Sequence, residues 1–173
     1  MERRVKSESS SDGRHTKHAA SERSFAEAQV RVRYAETDQM GVVYHGNYFT
    51  WFEIGRVELC RQLGFEYKKM ESEDDSFIVV AEAYCRYKRP ARFDDLLTVR
   101  TRVVESLRRT IRFGYELLNE TTGEIIATGE TVHVICDRQG RPKALPEKYR
   151  KYFPAGGADH DGASKKAGTQ HHS

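Results

Sequence analysis

A single long segment, Asn47 to Leu63, repeats its apolar residues at helical spacing, and most of the chain after it alternates as strands do. Tyr48, Trp51, Phe52, Gly55, Leu59 and Leu63 share one face of that helix. Ile54, Val57 and Cys60 widen the apolar surface, so the helix is expected to be well buried. Asn47 reads as its N-cap and Gly64 as its C-terminal stop. A lone helix this apolar needs a sheet to cover it.

The sheet is legible on both sides of the helix. Before it, Val30, Val32 and Tyr34 alternate with Arg31 and Arg33, predicting a half-buried strand over Gln29 to Tyr34. After it, Phe77 to Tyr87 is rich in Val, Ile and Tyr. Leu97, Val99, Thr101 and Val103 alternate with Thr98, Arg100 and Arg102. Ile111, Phe113, Tyr115 and Leu117 alternate with Arg112, Gly114 and Glu116. Ile126, Thr128, Glu130, Val132 and Val134 interleave with Ile125, Ala127, Gly129, Thr131 and His133. Asn119 to Gly123 reads as a turn, and Pro146 to Phe153 as a short terminal helix. His133 reads as a structural histidine of its strand. About five strands joined by short turns make an antiparallel sheet. The fold class is therefore α+β, one long helix wrapped by that sheet.

The ends of the chain differ from this middle. Residues 1–28 and 154–173 are polar and poor in apolar residues, and both read as disordered tails around a domain at 29–153. His171 and His172 read as solvated side chains of the second tail. The N-terminal stretch lacks the apolar run of a signal peptide, and no segment reads as an integral membrane span. A net charge of +3 in 173 residues is too small to argue for nucleic acid or membrane partners. Cys60, Cys85 and Cys136 are odd in number and far apart. That spacing argues against a disulfide framework or zinc site and for free thiols in a reducing cytoplasm. No Cys/His constellation suggests a metal, no Gly-rich loop suggests a nucleotide, and hydrolysis would need no cofactor.

The segment that carries chemistry runs from Tyr34 to Tyr48: Tyr-Ala-Glu-Thr-Asp-Gln-Met-Gly-Val-Val-Tyr-His-Gly-Asn-Tyr. It leaves a strand, sets Asp38 on a loop, and enters the N-terminus of the helix. Such a terminus offers unpaired N–H groups and partial positive charge, which suit a developing oxyanion. A carboxylate beside it can attack an acyl carbon or take a proton from water. His45 can donate a hydrogen bond or orient the substrate. Plain structural readings stand beside these. Asp38 can be an ordinary turn residue, and His45 can satisfy backbone groups at the helix entry. Glu36 reads as a solvated neighbour.

The same segment resembles the signature of the 4-hydroxybenzoyl-CoA thioesterase/YbgC-like branch of the hot-dog superfamily. Tyr34, Glu36, Thr37, Asp38, Gly41, Val42, Val43, Tyr44, His45, Asn47 and Tyr48 meet it position by position. A second block, Tyr87-Lys88-Arg89-Pro90-Ala91-Arg92-Phe93-Asp94-Asp95, resembles the joint between two strands in that branch, with Phe93 where Tyr is usual. The resemblance covers about Gln29 to Phe153. It implies a hot-dog fold, in which domains join their sheets edge to edge as homodimers and often form homotetramers. It further implies an acyl-CoA thioesterase whose active site lies at the dimer interface. Asp38 would be the catalytic carboxylate, as nucleophile or as base for water, assisted by His45 and Tyr34. The helix N-terminus, entered through Tyr44, His45 and Asn47, would hold the thioester oxygen, with Val43 at the substrate as well.

Coenzyme A carries phosphates, for which Lys88, Arg89 and Arg92 are the candidates; a sheet-edge charge cluster is the bland alternative. Arg108, Arg109 and Arg112 read as surface charge, and Trp51 and Phe52 as core. Another function for the same fold is a non-catalytic subunit that binds an acyl-CoA or an acyl carrier protein. The intact motif favours the enzyme over that binder, and its placement favours a thioesterase over a hot-dog dehydratase.

Overall fold

The computed structural model describes residues 25–153. Both expected tails fall outside that range, except for residues 25–28. There the structure corrects the boundary, because the first strand, β1, spans Ala26–Arg31 and starts before Gln29. Ala26 is buried, and Ala26 to Ala28 pair in register with Thr101 to Val99. Backbone pairing extends the strand through residues too small to give an apolar alternation. At its other end β1 stops short of Tyr34, which lies in a one-turn 3-10 segment, Tyr34–Glu36. Tyr34 therefore does not share a core face with Val30 and Val32; it is 77% exposed.

Helix α1 spans Asn47–Gln62 and is followed by α2 at Tyr67–Asp74. Four long strands come next: β2 at Phe77–Tyr87, β3 at Leu96–Ser106, β4 at Thr110–Asn119 and β5 at Ile125–Cys136. A short helix, α3, spans Glu147–Arg150. The five strands form one antiparallel sheet in the order β1-β3-β4-β5-β2. The chain thus leaves one edge of the sheet at β1, runs α1 across its face, and returns at the far edge as β2. Helix α2 was not legible in the sequence, since Met70 is its one buried residue.

The helix lies unusually close to the sheet. A Cβ built on Gly55 would stand 2.3 Å from Thr101 Oγ1 and 2.7 Å from Val99 Cγ1. A Cβ on Gly129 would stand 2.4 Å from the Phe52 ring. Phe52 in turn stacks on Tyr115, with centroids 4.5 Å apart and an interplanar angle of 11°. Tyr48, Trp51, Phe52, Gly55, Leu59 and Cys60 are buried, whereas Leu63 and Ile54 reach solvent. Gly64 ends the helix as predicted, with φ +75°. Asn47 does not cap the helix with its side chain; the N-cap residue is Gly46.

Inward-facing residues of β3 and β4 follow the predicted alternation: Leu97, Val99, Thr101, Ile111, Phe113, Tyr115 and Leu117 are all buried. In β5 the small and polar set faces in. Ala127, Gly129, Thr131 and His133 are buried there. Phe52 fills the space over Gly129, and a polar chain links Tyr115, Thr131 and His133, leaving His133 Nδ1 buried without a partner among the described residues. Tyr115 Oη lies 2.7 Å from Thr131 Oγ1, which lies 2.8 Å from His133 Nε2.

Burial, and secondarily the charge of Arg56, pushes the His133 imidazole down to about 4 from its ordinary 6.5. The folded protein therefore holds it neutral, while the unfolded chain protonates it near the ordinary value. That stability is complete above pH 6.5 and is lost as the pH falls toward 4. The loss amounts to about 3 kcal/mol. His133→Gln should flatten this slope of stability against pH, as read from urea midpoints across the same range.

Candidate active site

The site begins where β1 ends. Val32 donates its N–H to the carbonyl of Asp95 at 3.0 Å and accepts the N–H of Asp94 at 3.0 Å. After the 3-10 turn, Thr37 and Val43 form an isolated antiparallel bridge. Asp38 to Gly41 closes it as a tight turn. The Gly41 N–H donates to Asp38 O at 2.9 Å, and the Asp38 N–H donates to Val42 O at 2.8 Å. Gly41 has φ +70°, which only glycine adopts at little cost. The Met40 N–H donates to Asp38 Oδ1 at 2.8 Å. One carboxylate oxygen is thereby fixed by the turn, and the side chain remains exposed.

Glu36 holds this turn against the helix. It is 6% exposed, which corrects its reading as a solvated neighbour. Its carboxylate accepts the Arg33 N–H at 2.7 Å, the Arg33 guanidinium at 2.9 Å and the Trp51 indole N–H at 3.3 Å. Its own carbonyl accepts the Tyr44 N–H at 2.9 Å and Asn47 Nδ2 at 2.8 Å. Burial alone would raise the Glu36 carboxyl. The Arg33 and Trp51 donors outweigh it and hold the group below the usual carboxylate range. The signals for this role were present in the sequence: Arg33 three residues away, and a buried Trp51 whose N–H needs an acceptor.

The start of α1 has spare donors. The Asn47 N–H donates to Tyr44 O at 3.0 Å, but the His45 and Gly46 N–H groups donate to no acceptor among the described residues. The His45 ring is exposed and leans on Tyr44, with centroids 4.2 Å apart. The turn, the exposed Asp38 carboxylate and the open helix N-terminus thus form one unit. Such a unit can bind a carbonyl oxygen and deliver a carboxylate or a water.

The remaining sequence candidates divide. Tyr34 is out in solvent, its ring edge-on to Phe93 at 5.7 Å. Val43 is buried and donates its N–H to Ala91 O at 2.9 Å, so it supports the loop from the core side. Arg92 belongs to the turn, with Nη1 3.5 Å from Gly41 O. Arg89 is drawn away to Glu124, 2.9 Å from its Nε. Lys88 is exposed beside it, and both backbone N–H groups donate to Ile126 O. Among the described residues, no group of three or more His, Cys, Asp or Glu is placed to hold a metal ion. The residue that sequence reasoning left without any role is Tyr87, whose phenol donates to His45 O at 3.0 Å.

Comparison with known proteins shows the family and the fold. The profile of the "Thioesterase-like superfamily" matches residues 32–153. The chain is 36% identical over 126 residues to YneP of Bacillus subtilis (strain 168), covering 73% of this chain and 88% of that one. It is 36% identical over 126 residues to the acyl-CoA thioesterase YbgC of Haemophilus influenzae, covering 72% and 90%. Among solved structures, the DHNA-CoA thioesterase of Staphylococcus aureus superposes with a TM-score of 0.67 at 34% identity, covering 75% of this chain and 84% of that one. The fold is the hot-dog fold that the two motifs implied, and the chain belongs to the thioesterase-like superfamily.

Proposed function

We propose that this protein hydrolyses an acyl-CoA thioester to the free acid and coenzyme A. The observation that carries the reading is the joint hold of Glu36 on Tyr44 and Asn47, which sets the Asp38 turn on the open N-terminus of α1. The thioester oxygen rests on the free N–H groups of His45 and Gly46. As negative charge gathers on that oxygen, the two donors and the helix dipole stabilise it. Asp38 attacks the acyl carbon or takes a proton from the attacking water. In the first case the C–S bond breaks, coenzyme A leaves as the thiolate, and water then hydrolyses the acyl-Asp38 anhydride to the free acid, its proton passing to the thiolate. In the second the water oxygen adds to the acyl carbon, the C–S bond breaks, and the proton held by Asp38 passes to the departing sulfur. The His45 imidazole orients the substrate. Arg92, next to Gly41, and Lys88 hold the phosphates, while Arg89 is already engaged by Glu124.

A second copy of the chain completes this site. Asp38, Tyr34, Met40, Tyr44 and His45 are all exposed in one copy, yet thioester hydrolysis benefits from a water-poor slot. The two sheet edges are unlike each other. The β1 edge is six residues long, with Glu27 paired to Arg100 and Arg31 to Asp94. The β2 edge is 11 residues long, and Val79, Val80 and Tyr84 stand exposed along it. A long apolar edge left bare invites pairing with another strand. Two copies pair through β2.

Thiol release from a panel of acyl-CoAs tests the reaction. Asp38→Asn should lower turnover at least about a thousandfold while the protein stays folded and binds coenzyme A. His45→Ala should lower it less, by roughly ten- to a hundredfold. A fully active Asp38→Asn protein would refute the mechanism. Absence of turnover by wild type on every thioester would favour a binding subunit instead. Val80→Lys tests the assembly: the molar mass by light scattering should fall from dimer to monomer, and thiol release should fall with it.

A further inference from the structure

Tyr87 ends the edge strand β2 and opens the block that continues through Pro90 and Ala91. Its phenol reaches across to the start of α1 and donates to the His45 carbonyl at 3.0 Å. Its ring meets the buried Tyr48 edge-on, with centroids 4.9 Å apart at 84°. Partial burial, with the Cys85 thiol second, pushes this phenol up to about 12. It is therefore a neutral hydroxyl donor throughout the neutral range.

The carbonyl it holds belongs to the same peptide unit as the Gly46 N–H. That unit is planar and trans, so its N–H points opposite to its C=O. Fixing the carbonyl therefore fixes the direction of the donor. Two neighbouring groups, the Tyr44 N–H and the Asn47 side chain, are set by the Glu36 carbonyl. The His45–Gly46 peptide is held by Tyr87.

We propose that Tyr87 is a positioning residue for the thioester oxygen, acting through the His45–Gly46 peptide to aim the Gly46 N–H. This rests on the thioesterase reading above. Tyr87 itself touches no reacting atom. Its place on β2 also means that the strand proposed to pair with a second copy carries the group that orients the oxyanion donor.

Tyr87→Phe tests this with little disturbance, because the ring that packs on Tyr48 is kept. The expected result is a kcat lowered about tenfold, less than for removing an oxyanion donor outright, with KM within about twofold of wild type. The dimer mass should be unchanged, and the Gly46 amide resonance should shift. Unchanged kcat in Tyr87→Phe, in a protein whose Asp38→Asn variant is inactive, would overturn the positioning role and leave the thioesterase reading intact. If wild type cleaves no thioester, the reading falls and the oxyanion role falls with it. An unmoved Gly46 amide would overturn the proposal whatever the kinetics.

Discussion

Glu36, with a charged and nearly buried carboxylate, uses its side chain and its carbonyl together to join three parts of the chain. Its carboxylate accepts from the backbone and guanidinium of Arg33, just past the first strand, and from the Trp51 indole one turn into the helix. Its carbonyl accepts from Tyr44 and Asn47 where the loop becomes that helix. A nearly buried carboxylate is stable only while its donors are in place, and removing it leaves the buried Trp51 indole N–H without its acceptor, at a cost of about 1–3 kcal/mol. Trp51 is fully packed in the core, so the clamp inherits the rigidity of the core. The Asp38 turn hangs between the two ends of this clamp, and its position relative to the helix N-terminus follows from it.

A second constraint decides where a site can be. The helix touches the sheet through two glycines, Gly55 against Thr101 and Gly129 against Phe52. Stacked Phe52 and Tyr115 fill the space between them. Close packing of this kind leaves substrate the end of the helix and the sheet edge beside it. There the exposed groups of the Asp38 loop meet Tyr87 of the edge strand. The core and the site are complementary in this sense: the tightness of the one leaves the other at the rim.

The strands β3 and β4 and the helix were legible because their apolar residues keep period and face: Leu97, Val99, Ile111 and Phe113 are buried where alternation put them. The Tyr34-to-Tyr48 motif located the loop correctly. What sequence could not give came from pairing and from partners distant in the chain. Ala26 joins a strand through its backbone, without an apolar pattern. Asn47 has the residue type of a cap, yet its amide serves the Glu36 carbonyl. Glu36 reads as solvated because its burial depends on Arg33 and Trp51 folding around it. Ile54 breaks the expected burial because it lies off the buried face formed by Tyr48, Trp51, Phe52, Gly55 and Leu59. The polar inward face of β5 is set by Phe52 and by the Tyr115–Thr131–His133 chain, neither of which alternation can reveal.

The dependence of the site on the Glu36 clamp is most directly measured with Glu36→Ala, by following thermal unfolding and thiol release on the same preparation. If the clamp sets the loop, the melting temperature falls by roughly 10 °C, as expected for a few kcal/mol lost from a domain of this size. Turnover then falls together with it, even at temperatures where the variant is fully folded. A Glu36→Ala protein that melts and turns over like wild type would contradict the claim that this carboxylate, by tying Arg33 to Trp51, fixes the Glu36 carbonyl where it receives Tyr44 and Asn47.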